Sequence, residues 1–533
     1  MTDRWAFPYP SQRMPVLAEQ VVATSQPLAA QAGLDMLRRG GNAIDAAIAA
    51  AATLTVVEPT SNGLGSDAFA LVWDGEHLHG LNASGRAPRG VDADRFVGQG
   101  PMPEHGWDPV TVPGAVSAWQ TLSERFGRLG LDTLVEPAAR YAEHGWRVAP
   151  ITAAAWTRGE DRLGAVDGFA DAFLPGGRSP APGQRFAFPD QARSLRAIGA
   201  SAGAAFYTGE LAERIAAAAH AAGAALDGAD LAAHRPDWVE PVTRSVFGLD
   251  VAELPPNGQG IAALAALGIL DGSPIGQWGP DSADSLHFQI EAMKAAFADV
   301  YAEVADPDTM RVGVDALLEP KRLSDHLTTI EPRRASLRSP APLPRGGTVY
   351  LTAADDEGRM VSFIQSNYMG FGSGVVVPGT GISLHNRGAG FATEAGHPNV
   401  VAPGKRPFHT IIPAFAHRDG IPELAFGVMG GHMQPQGHIQ MVLRIALHGQ
   451  NPQTAIDAPR WRFDQGRSVA LEAGVAPAVV EDLAARGHEV DQAAPGVSDA
   501  MFGFGGAQIV QRLDEGAWLA ASDPRKEGAA VGF

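Results

Sequence analysis

Not one of the 533 residues is a cysteine, which excludes disulfides, thiol nucleophiles and thiolate metal sites and leaves the redox compartment open. No apolar run reaches the roughly 18 residues that a membrane-crossing helix needs. The opening segment, MTDRWAFPYPSQRMP, lacks the apolar stretch of a signal peptide, so a cytoplasmic protein with no membrane partner is expected. Basic patches are missing too: Lys and Arg number 41 against 59 Asp and Glu, and the net charge of -18 is dispersed along the chain. That balance speaks for solubility and against nucleic acid or an anionic membrane as partner. There is no Walker pattern and no HExxH. His409, His432 and His438 crowd one region without flanking carboxylates, so they are read as solvated or substrate-facing, with no metal and no cofactor.

What is present is a globular composition, 45% hydrophobic and 19% charged, long enough for a sizeable core. Pro27 to Arg38 reads as a helix ended by Gly40-Gly41, and Asn42 with Asp45 reads as the cap of a second. Phe69 to Trp73 and Leu78 to Leu81 form a hairpin about Asp74-Gly75. From Val116 to about Ile330 the text is mainly helical, with one long amphipathic helix over Ser285 to Glu303. Arg334 to Gly347 (RASLRSPAPLPRGG) is proline-rich and aperiodic and is read as an exposed linker. Strands follow, over Thr348 to Ala353, Met360 to Gln365, Ala414 to His417 and Leu424 to Val428, and helices resume at His438 to Leu447 and Val479 to Arg486. Strands flanked by helices on both sides predict a layered α/β architecture.

Thr348 stands where the linker meets the first of these strands, behind Gly346-Gly347. A threonine opening a strand is ordinary, because β-branched residues favour strands. If the Gly347–Thr348 bond is cut, however, one residue carries both a hydroxyl nucleophile and an α-amine base. Attack on an amide also needs oxyanion donors, and Gly430-Gly431, directly after a strand, can supply backbone N–H groups; the plainer reading is a strand-ending turn. Gly370 to Gly374 (GFGSG) is read as a loop near the site. Gly199-Ala200-Ser201-Ala202-Gly203 matches the G-x-S-x-G elbow, but the preceding text is helical where a buried strand is required.

The chain resembles the gamma-glutamyltransferase (glutathione hydrolase) family nearly end to end. The resemblance is carried by GGNAIDAAIAA (40–50), VVEPTSNGLGSDAF (56–69), VTVPGAV (110–116), FYTGELAERI (206–215), LPPNGQG (254–260), HFQIEAMKAAFAD (287–299), GKRPFHTIIP (404–413), AIDAPR (455–460) and ASDPRKEGAAVGF (521–533). It implies a four-layer αββα sandwich of the N-terminal nucleophile hydrolases. It further implies a precursor cut into a large subunit, 1–347, and a small subunit, 348–533, that stay together; whether such heterodimers assemble further is left open. Thr348 is implied as nucleophile, Ser366 as the hydroxyl bonded to it, and Gly430 and Gly431 as the oxyanion hole.

The family's substrate-binding positions fall on Tyr368, Asn386, Arg387, His409 and Thr410, with Arg86 two residues beyond an arginine position occupied by Ser84. Gly390 stands where glutathione-acting members carry the acid that holds the glutamyl ammonium. Retained carboxylate donors without that acid imply a small acid amide as substrate, since an unpaired buried ammonium is costly. The NASGRAP form also resembles the oxamate amidohydrolase and acylase branch. The resulting expectation is a self-processing amidohydrolase acting on an oxamate-like or γ-glutamyl compound through an acyl-enzyme. The alternatives are a glutathione hydrolase or γ-glutamyl transferase proper, and an unprocessed member that binds a small acid without turnover.

Overall fold

The computed structural model describes residues 13–166, 168–338, 346–493 and 503–533. Two seven-stranded sheets, antiparallel throughout, form its centre. The first runs, neighbour to neighbour, Ala529–Gly532, Val21–Thr24, Gly347–Ala354, Met360–Tyr368, Asp67–Trp73, Leu78–Asn82 and Asp237–Val239. The second runs Val16–Ala18, Trp518–Ser522, Gly506–Arg512, Ile421–Met429, Ala414–Arg418, Leu249–Glu253 and Val242–Val246.

The period-2 alternation of the central strands assigns each side chain to a layer. Val349, Leu351 and Ala353 pack among the helices Pro27–Arg38, Ala43–Val57, Leu131–His144 and Pro189–Ala200. Tyr350 and Ala354, one residue out of phase, join Phe69, Leu71, Phe415, Ala425 and Val510 between the sheets. Beyond the second sheet, Leu424, Phe426 and Val428 meet the helices Gly260–Asp271, Ala283–Glu303 and Met433–Val442. The layers are therefore helix, sheet, sheet, helix, the αββα sandwich expected. Ala43–Val57 is buried on every side, and its alanines let neighbouring helices approach. Its N-terminus is held by the foreseen capping box, in which Asn42 Oδ1 accepts from the Asp45 N–H at 3.0 Å and Asp45 Oδ2 from the Asn42 N–H at 2.9 Å.

Three readings need correction. The stretch read as mainly helical contains the hairpin Val242–Val246/Leu249–Glu253, turning at Phe247 (φ 50°) and Gly248 (φ 76°). Arg244 stands in phase with Val242 and Val246, so the apolar alternation that would announce the first strand is broken. Strands Gly506–Arg512, Trp518–Ser522 and Ala529–Gly532 were not foreseen either. The linker is docked at its start, since Ala335 is 2% exposed and donates its N–H to Arg486 O, while the Ser336 N–H and hydroxyl both donate to Glu291. Residues 339–345 lie outside those described.

Candidate active site

Thr348 is the second residue of Gly347–Ala354, in phase with Tyr350, so its side chain belongs to the layer between the sheets and lies at one end of it. The pairing with Met360–Tyr368 slips here: Gly347 faces Tyr368 but Val349 faces Gln365, which places Ser366 and Asn367 opposite Thr348 alone. Such a bulge re-aims side chains, and this one converges two hydroxyls. Thr348 Oγ1 and Ser366 Oγ are 3.1 Å apart, and the Ser366 hydroxyl donates to Gly347 O at 2.7 Å. Ser366 Oγ in turn accepts from the Tyr368 N–H at 2.8 Å and from Arg387 Nη2 at 3.3 Å. Its orientation is thus set by the backbone and by a cation.

Gly346 and Gly347 are required by close approach. A Cβ on Gly346 would stand 3.0 Å from Gly431 Cα and 3.3 Å from its nitrogen, and one on Gly347 would stand 2.8 Å from Gly370 N. Gly430 (φ 130°) and Gly431 (φ 64°) occupy backbone conformations that favour glycine, and they lead from the strand Ile421–Met429 into the helix Met433–Val442. Gly430 O accepts from the Met433 N–H, and Gly431 O from Gln434 N–H and Gln259 Nε2. With the carbonyls committed to the helix start, the turn presents Gly431 to the Gly346 backbone.

Behind Ser366 the site is fully buried. Arg387 donates from Nη1 to Thr410 Oγ1 at 2.8 Å, and its guanidinium carbon lies 4.2 Å from the centroid of the Tyr368 ring. Burial lowers Arg387 to about 10, so it stays cationic at neutral pH, and burial pushes the Tyr368 phenol up to about 12. Gln259 Nε2 also donates to Thr410 O at 2.6 Å, so the LPPNGQG loop bridges Thr410 and Gly431. His409 turns away to Asp67, with Nε2 and Oδ2 3.1 Å apart, and burial holds its pKa well below the ordinary value. Asp67 is itself raised to about 7 by burial, against the pull of Arg387. Neither Asp67 nor His385, 3.8 Å from its other oxygen, was singled out from the sequence. The one signal was an acid among the apolar residues that open a buried strand.

Two expected substrate contacts lie elsewhere. Arg86 binds Asp306 at 3.0 Å and Gly404 O at 3.2 Å, and it lines a separate cavity with His234, Asp237 and Arg406. Asn386 is a loop clamp, accepting from the Met369 N–H and donating to Glu104 O. At Gly390 a Cβ would meet Phe408 O at 2.8 Å, so the backbone itself leaves no room for an acidic side chain. His409, His432 and His438 do not converge; they pair separately with Asp67, Tyr301 and Glu253. Among the described residues the metal-like group is instead His287, Glu291 and His488, where the Lys294 ammonium, 2.8 Å from Glu291 Oε1, already supplies the cation. Ser201 caps a helix and donates to Ala197 O, so it is no nucleophile elbow. A cavity of about 350 Å³ opens on Thr348, and Gly370 of the GFGSG loop does line it.

A strand-borne threonine and a glycine turn facing each other across an αββα sandwich place the chain among the N-terminal nucleophile hydrolases. The family model of gamma-glutamyltranspeptidase matches residues 29–533, and the chain belongs to that family. It is 35% identical over 525 residues to a glutathione hydrolase-like YwrD proenzyme of Bacillus subtilis (strain 168), covering 97% of this chain and 98% of that one. To an oxamate amidohydrolase proenzyme of Klebsiella pneumoniae it is 38% identical over 519 residues, 95% and 97% of the two chains. A cephalosporin acylase from Bacillus halodurans superposes with a TM-score of 0.93 at 45% identity, covering 100% and 99%. The chain is a hydrolase of this family. Among the described residues no helix is long and apolar enough to cross a membrane.

Proposed function

We propose that the chain is a self-processing amidohydrolase whose nucleophile is Thr348 and whose substrate is the amide of a small acid bearing a second carboxylate. The carrying observation is the Ser366 hydroxyl, 3.1 Å from Thr348 Oγ1 and 2.7 Å from Gly347 O. In processing, Thr348 Oγ attacks the Gly347 carbonyl carbon while Ser366 donates to the oxygen that gains charge. The C–N bond breaks, the hydroxyl proton ends on the departing nitrogen, and water hydrolyses the ester. Thr348 is then a chain start, and its amine takes the proton from its own hydroxyl in each later turnover. Gly430 and Gly431 supply oxyanion N–H groups, and the acyl-enzyme is released to water. The proenzyme names of the relatives support the cut.

Arg387 supports the substrate class. A buried guanidinium against Thr410 and Tyr368 attracts a carboxylate and repels an ammonium, so an oxamate-like or diacid amide is favoured over a γ-glutamyl compound. The test is N-terminal sequencing of the purified protein together with release of ammonia or amine from oxamate, glutaryl amides, γ-glutamyl anilides and glutathione. The expected result is a new chain start at Thr348 and turnover of the amino-free acid amides. An uncut, inactive chain would leave only an acid-binding protein, and efficient use of glutathione would restore the glutathione hydrolase reading. Thr348→Ala is expected to abolish both the cut and the turnover.

A further inference from the structure

The glycine turn at Gly430-Gly431 is followed at once by His432, which caps the start of Met433–Val442 and is 6% exposed. Its Nδ1 meets the hydroxyl of Tyr301, from the last turn of Ala283–Glu303. Among the described residues that hydroxyl has no other partner, so its hydrogen goes to Nδ1 and the neutral imidazole carries its own proton on Nε2. The ring is held from its sides as well. Tyr301 stacks on Phe297 with centroids 5.2 Å apart, and Phe408 lies within 11° of parallel to His432 at 6.2 Å. The Nε2–H group, by contrast, finds no acceptor among the described residues.

This donor stands on the Arg387 side of the nucleophile. Gln259 Nε2 ties Thr410 O at 2.6 Å to Gly431 O at 2.9 Å, so the segments that bear Phe408 and His432 run together at Thr410, whose hydroxyl accepts from Arg387. Burial lowers His432 to about 3 and the Arg387 charge adds to that lowering, so the imidazole is neutral at working pH. We propose that His432 is a specificity-determining residue whose Nε2–H donates to the carboxylate of the acyl half, beside Arg387, and that Tyr301 is the positioning residue that fixes its tautomer. This inference rests on the amidohydrolase reading above. A neutral donor adds a hydrogen bond to an anion without a second buried charge. It also offers nothing to an ammonium, because the one lone pair of the ring is spent on Tyr301.

The test uses the processed enzyme and a matched pair of anilides: the best acid from the panel, and its analogue in which an isopropyl group, similar in size and without an acceptor, replaces the carboxylate. His432→Phe keeps a ring against Phe408 and loses both nitrogens, whereas His432→Gln loses the ring and returns an amide N–H near the place of Nε2. Each variant is first checked for the new chain start at Thr348. His432→Phe is expected to lower the charged-to-neutral ratio of kcat/KM about tenfold, the range of a hydrogen bond to a charged group, and His432→Gln to recover most of it. Tyr301→Phe, which retains the packing on Phe297 and Phe408, is expected to lower the ratio severalfold. Nitrogen-15 NMR of the histidine-labelled enzyme reads the tautomer without turnover, with the His432 signals assigned by their loss in His432→Gln. A proton on Nε2 and a bare Nδ1 are expected in the native enzyme, and mixed tautomers in Tyr301→Phe. A ratio unchanged in His432→Phe, or kept there and lost in His432→Gln, would mean that the ring serves packing alone and would overturn the proposal, as would a proton on Nδ1 in the native enzyme. Should neither His432 variant be processed, the Tyr301→Phe ratio and the native tautomer decide between the same two outcomes. Absence of processing and of all turnover in the native chain would instead sink the amidohydrolase reading, and this subsite with it.

Discussion

At the scale of residues, one carbonyl and two hydroxyls meet at Gly347, Thr348 and Ser366. Ser366 is bonded by the Tyr368 N–H, Arg387, Thr348 and Gly347 O at once, so its hydroxyl hydrogen has one carbonyl to point at. That geometry depends on Gly347 lying flat against Gly370. Gly347→Ala adds a Cβ 2.8 Å from a backbone nitrogen that cannot swing aside, so the carbonyl must move away from Ser366. An overpacking cost of about 1–3 kcal/mol, falling on the attack geometry, predicts processing slowed about tenfold or more. A time course of large-subunit release on denaturing gels reads it, and a cut as fast as the native one would remove the argument from close approach. Arg387→Gln keeps a donor for Thr410 and removes the charge. It is expected to lower kcat/KM for carboxylate-bearing amides by about tenfold to a hundredfold, the range of a charge-assisted bond, and that for neutral amides much less.

Elements differ in how far their own sequence announces them. The hairpin about Asp74-Gly75, the adjacent strands over Thr348 to Ala353 and Met360 to Gln365, and the Asn42/Asp45 cap are local devices, and the sequence shows them. The capping box carries a prediction of its own, because Asn42 also donates from Nδ2 to Phe126 O at 2.7 Å and so ties the central helix to the end of Ala115–Phe126. Asn42→Ala is expected to cost about 0.5–2 kcal/mol and a few degrees of Tm without changing the rate of processing. Thermal melts beside the gel time course check it; a processing defect equal to the stability defect would mean that the helix reaches the site. Elements completed by distant partners were not legible. Gly506–Arg512 pairs with Ile421–Met429 across some eighty residues of chain, and nothing in its own text names that partner. Thr348, Ser366 and the Gly430-Gly431 turn could be picked out as candidates because each lies at a strand end. Arg86 was misplaced because nearness in sequence does not say which cavity a long side chain enters, and Asp67 was missed because its partner, His409, is 342 positions away.

The whole molecule keeps several histidines neutral in its interior. His234, His385, His432 and His488 are each lowered to about 3 by burial, and burial holds His409 well below its ordinary value. The unfolded chain would protonate all of them near their ordinary 6.5, so it binds more protons than the native state between about pH 3 and 6.5. Their contribution to stability is fully present above pH 6.5 and is lost as the pH falls through that window. Four buried carboxyls, Asp45, Glu58, Asp67 and Glu253, are raised by burial and act with the opposite sign. Glu58 and Asp67, raised to about 7, hold protons in the fold that the unfolded chain gives up near pH 4, so their contribution is present in acid and is lost as the pH rises through 7. Histidines outnumber these carboxyls, so Tm is expected to climb from pH 4.5 to 6.5 and then level or decline by pH 8. Asp67→Asn is the decisive variant because an amide fills the same space beside His409 and does not titrate. Removing one native-state proton should steepen the acid limb by about 1.4 kcal/mol per pH unit and weaken the decline above pH 7. Parallel Tm profiles for the variant and the native protein would mean that Asp67 is already ionised in the fold, held so by Arg387, and that the buried centre of the site carries a permanent ion pair.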